Sequence, residues 1–222
     1  MSNAMSESSR VLDEIFASRC VEHPDGHLLK LVANISRENS DALRRSVRAF
    51  RPLLAVEVGM AYGISTLSIL DAICENGTGR LISIDPYIDW PTGRRVAQHQ
   101  VVRAGLSFCH EHLHEPSYLG LPRIMGREAK ADFVYIDGNH DYEYAFTDYF
   151  LADKLLAQGG VIAFNDSGWR SVFKVIRHVM RSGQYEEVDV GLPRVFRSKN
   201  ALFALIKRIE GRSTNDRYFR KK

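Results

Sequence analysis

Between residues 53 and 164 short apolar runs recur, and each stops on a glycine or a polar tip. Residues 53–58 stop at Gly59, 81–84 at Asp85, 132–136 at Asp137 and 161–164 at Asn165-Asp166. Unbroken apolar runs of this length suit strands buried on both faces, as in a parallel sheet. Helix-length segments separate them, and strands alternating with helices make an α/β fold with helices on both sides of the sheet. The expectation is a Rossmann-like, doubly wound, mostly parallel sheet. In such open sheets ligands bind beyond the carboxyl ends of the strands. The polar tips therefore collect where the topology puts a site.

The remaining segments fill in this frame. Residues 11–50 read as helical, with Leu43, Val47 and Phe50 on one stripe, Ser40 or Asp41 as a cap and Pro52 beyond the end. Further helices are expected over 65–74, 94–104, 142–157 and 171–180, and a weaker strand over 106–109. Residues 185–190 and 202–206 are strand candidates with no helix-length segment between them, which predicts an antiparallel pair at the C-terminal edge. Residues 1–10 are expected to be disordered, with Ser2-Asn3-Ala4 resembling a tag remnant. Residues 11–210 are expected to form a single domain, and 211–222 a solvated basic tail carrying Arg212, Arg217, Arg220, Lys221 and Lys222.

Composition excludes more than it identifies. A net charge of +3 is too mild to argue for a nucleic-acid partner. No apolar stretch approaches the ~20 residues of a membrane span. The three cysteines, Cys20, Cys74 and Cys109, form no CxxC pair, a usage that fits a reducing cytoplasm. A homo-oligomer stays open.

Gly59-Met60-Ala61-Tyr62-Gly63 joins the first of these strands to a helix beginning near Ser65-Thr66. Glycines there let the backbone turn sharply and approach a ligand, and the helix start offers free N–H groups to an anion. A dinucleotide calls for GxGxxG, because its pyrophosphate lies against the backbone. Ala61 and Ile64 depart from that pattern. S-adenosylmethionine carries only a carboxylate and needs fewer glycines. Asp85 can accept ribose hydroxyls, or can serve as a turn residue before Pro86. Glu57 is an acid inside an apolar strand, and a buried carboxylate needs a partner. The methionine ammonium is one, a structural hydrogen bond the other.

Asp137, Asn165 and Asp166 follow two strands that converge if they are neighbours, since parallel strands lie about 4.8 Å apart. Three hard oxygens suit Mg²⁺ or a similar cation, which would lower the pKa of a substrate hydroxyl. His140, three residues beyond Asp137, is the candidate general base. Turn capping is the competing role for both aspartates, and helix capping for His140.

Four segments, Val56-Glu57-Val58-Gly59 through Thr66, Ile84-Asp85-Pro86, Ile136-Asp137-Gly138-Asn139-His140 and Gly159 through Asp166, resemble the class I S-adenosylmethionine-dependent methyltransferases. The closest branch is the small O-methyltransferases that include macrolide sugar O-methyltransferases and cephalosporin-hydroxylase-like proteins. The likeness spans roughly residues 30–208. It implies methylation of a hydroxyl on a small sugar-type or phenol-type acceptor. It also implies cofactor contacts from Ser36, Glu57, the 59–63 loop, Ser65, Thr66, Asp85, Pro86 and Asp137, a cation at Asp137, Asn165 and Asp166, and His140 as base. Metal-dependent relatives often have a second acid, or the order Asp-Asn, where this chain has Asn165-Asp166. Ser36 can equally be a helix N-cap, and Trp90 and Trp169 can line the acceptor pocket or pack as a lid. A cofactor-binding module without catalysis and a nicotinamide-dependent oxidoreductase are the alternatives.

His110-Glu111-His112-Leu113-His114 formally matches HExxH. It follows a β-like run and meets Pro116, so the helix that a zinc protease needs is not expected. Glu111 and His112 are expected in a loop near the adenine.

Overall fold

The computed structural model describes residues 7–32, 34–128 and 130–222. The strand succession is β3 (Leu54–Val58), β4 (Arg80–Ile84), β5 (His110–Leu113), β6 (Ala131–Ile136), β7 (Leu156–Phe164), β8 (Tyr185–Val188) and β9 (Arg217–Lys221). Among the described residues these seven make one sheet in the order β5-β4-β3-β6-β7-β9-β8. The first five are parallel, and β9 runs antiparallel to both β7 and β8. A hairpin of β1 (Cys20–Glu22) and β2 (Leu28–Lys30) stands apart.

Period-two alternation assigns each strand residue to one of two cores. Ala55, Leu81, Phe133, Tyr135, Val161 and Tyr218 pack against α1 (Glu7–Ser18), α2 (Arg37–Phe50), α3 (Ile64–Asn76) and α4 (Pro91–Arg103). Val56, Ile82, Val134, Ile162 and Phe219 pack against α5 (Ser117–Arg127), α6 (Tyr142–Leu155) and α7 (Arg170–Arg181). Among the described residues no helix is long and apolar enough to cross a membrane.

The doubly wound sheet and the antiparallel C-terminal pair match the expectation from sequence, but several segments do not. Residues 7–10 belong to α1, and Val11, Leu12 and Ile15 of that helix are core. The expected tag segment 1–6 lies outside the described residues. The 11–50 stretch is interrupted by the hairpin. The weak strand comes four residues later than expected, at β5.

The partner of β8 is not residues 202–206. That run is α8 (Ala201–Ile209), capped by Asn200, whose side chain accepts from Phe203 N at 3.0 Å. The partner is β9, from the expected basic tail. Tyr218 and Phe219 go to opposite cores, each 1% exposed. The cations flanking them are neutralised. Arg217 donates to both Glu187 oxygens at 2.8 and 2.7 Å, Lys221 meets Asp153 at 3.0 Å, and Arg220 lies over the Phe50 ring. Phe219→Ala should therefore cost ~3–5 kcal/mol, read as a shift in the urea midpoint. A change under ~0.5 kcal/mol, the usual surface effect, would mean the segment is a tail after all.

Candidate active site at the strand tips

Ladder hydrogen bonds align the predicted tips. Gly59 N donates to Ile84 O, Asp137 N to Val58 O, Asn165 N to Ile136 O and Asp85 N to Leu113 O, at 2.8–3.2 Å. Each residue just past a strand is thus pinned to the end of its neighbour. Gly59, Asp85, Asp137 and Asn165 stand side by side on one rim.

The first loop is folded around a carboxylate. Asp85 Oδ2 accepts from Met60 N at 2.8 Å and Ala61 N at 3.0 Å, and Oδ1 from Tyr87 N at 2.9 Å. A carboxylate has about four acceptor positions, so Asp85 keeps room for one further donor. Tyr87 closes the turn by donating its hydroxyl to Ala61 O at 2.7 Å. Gly59, at φ +88°, holds the loop against the next strand tip: a Cβ there would sit 2.1 Å from the backbone oxygen of Asp137, so any side chain must push the two apart. Gly63 also has positive φ, and it starts α3 without any side-chain cap.

Glu57 is fully buried on the α3 side of the sheet. Its Oε2 accepts from Thr66 Oγ1 and Ser83 Oγ, both at 2.7 Å. Its Oε1 is buried with no hydrogen-bond partner. Burial pushes the carboxyl pKa up to about 7, against the pull of the neighbouring Ser65, Thr66 and Ser83 hydroxyls. A carboxyl whose folded pKa lies above its ordinary value contributes stability below that ordinary value and loses it as pH rises through about 7. Glu57→Gln should accordingly raise the stability of the unliganded protein at pH 8 by on the order of 2 kcal/mol and change little at pH 4. Paired urea titrations measure this, and equal effects at both pH values would refute the assignment.

A cavity of about 340 Å³ opens over the rim. Gly59, Ala61, Asp137 and Gly138 line it at the glycine loop. Asp85, Pro86, Ile88, Pro116, Ser117 and Tyr118 line it further along, and Asn139 and Tyr144 complete the wall. Among the described residues two carboxylates line it, and no Lys or Arg does. Asp137 has its pKa raised well above the usual carboxylate range, first by burial and then by the negative charges of Asp166, Asp216, Glu57 and Asp85. The rim is a concentration of negative charge.

Beyond Asp137 lies the second constellation. Asp137, His140 and Asp166 each offer a ligand atom within 4.8 Å of the other two. His140 Nε2 approaches Asp166 Oδ2 at 2.9 Å, but off the angle of a hydrogen bond, so that nitrogen has no hydrogen-bond partner. Trp169 stacks on the His140 ring at 5.0 Å between centroids. Asn165 is tied by its amide nitrogen to Asp216 Oδ1 at 2.8 Å and to the Tyr135 hydroxyl at 3.2 Å. Tyr135 in turn donates to Asp216 Oδ2. Burial pushes the Asp216 pKa up to about 7.

Other predicted residues are placed differently. Met60 and Tyr62 point into the core, Tyr62 against Trp90 at 4.8 Å. Ser65 and Thr66 are buried against Glu57. Ser36 caps α2, accepting from Asn39 N at 3.1 Å, and borders a different cavity. Glu111 and His112 are not in a loop: they lie on β5. Glu111 pairs with Arg127 at 2.8 Å, and His112 Nε2 is 3.1 Å from Asp85 O, so neither lines the cavity. On a strand His110 and His114 stand about 13 Å apart, which removes the zinc-protease geometry. The sequence reading missed Ile88, Pro116, Ser117, Tyr118, Tyr144 and Asp216. No apolar run marks β5, whose three leading residues are all polar, and its end at Leu113 is what brings Pro116 to the rim.

The structure is similar to several solved methyltransferases. An O-methyltransferase from Bacillus cereus in complex with SAH aligns over 100% of this chain and 93% of its own, with TM-score 0.67 and 14% identity. An SAH-bound methyltransferase from Podospora anserina aligns over 99% and 89%, with TM-score 0.67 and 14% identity. The O-methyltransferase TomG from Streptomyces achromogenes, involved in tomaymycin synthesis and bound to SAM, aligns over 99% and 91%, with TM-score 0.65 and 15% identity. A search of curated protein sequences finds no significant match. The sequence profile of a methyltransferase-domain family matches residues 56–167, half of the chain, from the first strand through the second constellation. The chain belongs to this methyltransferase family and has the class I methyltransferase fold.

Proposed function

We propose that this methyltransferase uses S-adenosylmethionine to methylate a hydroxyl oxygen of a small molecule of sugar or phenol type. The observation that carries the reading is the acidic, lysine-free and arginine-free cavity over the glycine loop. A pyrophosphate would find no cationic side chain and would add its charge to the crowded acids of the rim, whereas a sulfonium and an ammonium would relieve that crowding. This favours the methyl donor over a nicotinamide dinucleotide. The SAH- and SAM-bound relatives support the same choice.

Each residue then has a role. Glu57 Oε1, buried without a partner, accepts from the methionine ammonium directly or through one water. The Gly59–Gly63 loop brings backbone against the methionine portion, and the free N–H groups at the start of α3 face its carboxylate. Asp85 uses its remaining acceptor position for a ribose hydroxyl. Pro116, Ser117 and Tyr118 flank the adenine. When bound, S-adenosylmethionine supplies an already electrophilic methyl, so the protein's work is alignment and proton removal. His140 takes the acceptor hydroxyl proton at Nε2, with Trp169 holding the ring plane.

The donor set at Asp137, Asp166 and the Asn165 amide oxygen fits a hard divalent cation such as Mg²⁺. The crowding of carboxylates at Asp137 is the observation that such an ion would relieve. When bound, it would lower the pKa of a coordinated hydroxyl. A second reading has His140 itself as a ligand beside Asp137 and Asp166, which the 4.8 Å clustering favours.

Calorimetry with S-adenosylmethionine and NAD, followed by SAH release in the presence of hydroxylated sugars and phenols, tests the proposal. Binding of NAD without binding of S-adenosylmethionine would overturn it. Tight binding without turnover on any acceptor would leave a non-catalytic module. EDTA should arrest turnover and Mg²⁺ restore it, while full activity in EDTA would remove the cation.

A further inference from the structure

A second constellation of ligand-type side chains sits far along the sequence from the strand tips, in the turn of the β1–β2 hairpin. The turn reads His23-Pro24-Asp25-Gly26-His27. Two backbone bonds shape it, His23 N to His27 O at 2.9 Å and Gly26 N to His23 O at 2.8 Å, with Gly26 at φ +91°. The two imidazoles lie face to face, 4.5 Å between centroids and 28° between planes.

Their nitrogens converge on one oxygen. His23 Nδ1 is 2.8 Å from Asp25 Oδ1, His27 Nδ1 is in close contact with the same atom, and the His27 backbone N–H also points to it at 3.2 Å. The Asp25 backbone N–H is meanwhile directed at His23 Nδ1, 3.5 Å away. In the metal-free turn each imidazole can donate its Nδ1–H to that oxygen. Deprotonated at Nδ1, the same two nitrogens and the carboxylate oxygen present three lone pairs to one point, where a cation would take the place of the two protons.

We propose that His23, Asp25 and His27 form a binding site for a divalent transition-metal ion, Zn²⁺ by chemistry. Two imidazoles and a carboxylate are a zinc donor set, with a fourth position open to solvent or water. The three ligand atoms already lie within 4.8 Å of one another. His23 is buried and is held from behind. The preceding Glu22 is bound by His99 at 3.0 Å, and its backbone oxygen accepts from Gln100 Nε2 at 2.5 Å. The residue before His23 is therefore anchored against α4, while Asp25 and His27, both more than half exposed as side chains, are free to adjust. Oxygen-only ions such as Mg²⁺ are poorly served by two imidazoles, so this site and the Asp137 site select different metals.

The test uses the full chain without a histidine tag, stripped of metal. Zinc calorimetry and the visible spectrum after Co²⁺ addition are measured for the native protein and for His27→Ala, Asp25→Asn and Asp166→Asn, with circular dichroism confirming each fold. The native chain should bind Zn²⁺ and gain melting temperature with it. His27→Ala and Asp25→Asn should each weaken binding by roughly tenfold or more, and Asp166→Asn should leave the hairpin binding intact. No zinc binding by the native chain, or binding lost in Asp166→Asn but kept in His27→Ala, would overturn the proposal. Neither readout depends on methyl transfer.

Discussion

A Gly59→Ala protein will bind S-adenosylmethionine on the order of 100-fold more weakly than the native chain. The added Cβ would lie 2.1 Å from the Asp137 backbone oxygen, and that oxygen belongs to the neighbouring strand tip, where it has little freedom to move. Holding alanine at φ +88° adds ~1–2 kcal/mol of its own, and overpacking adds ~1–3 kcal/mol. The loop and the Asp137 tip must separate, and the cavity lies between them. Since each 1.4 kcal/mol is about tenfold in affinity, the loss is ~10²-fold or more. Calorimetry measures it, and native affinity in the variant would show that the cavity over Gly59 is not the cofactor site.

The second large effect is at His140. If it removes the acceptor proton, His140→Ala lowers kcat by ~10²–10⁴-fold, leaves S-adenosylmethionine affinity unchanged and removes the acidic limb of the pH–rate profile. If it serves as a cation ligand instead, raising Mg²⁺ should restore much of kcat, because the defect is then one of metal occupancy. Measuring kcat against Mg²⁺ concentration at several pH values separates the two. Near-native kcat at every metal concentration would discard both roles.

The buried Asp216, Tyr135 and Asn165 network ties these two sites to the end of the chain. Asp216 immediately precedes β9 and orients the Asn165 amide. No short-range pattern links residues 135, 165 and 216. Only the insertion of β9 beside β7 brings them together.

The sequence by itself determined which strands are fully buried and where each ends, because unbroken apolar runs closed by a polar tip leave no other reading in a parallel sheet. Gly59, Asp85, Asp137 and Asn165 followed from that. Local pattern was a poorer guide where a strand lies at an edge or carries charge. His110 to Leu113 has three polar residues in a row, which a sheet edge tolerates, so the strand was expected over 106–109 and Glu111 and His112 in a loop. Arg217 to Lys221 looks like a solvated tail until Glu187, Asp153 and the Phe50 ring are present to neutralise it. Tertiary structure decided those assignments, because the energy of a charged strand lies in partners distant along the chain. It also decided that Ser65 and Thr66 serve Glu57 and that Ser36 caps a helix, since a hydroxyl's partner depends on what packs over it.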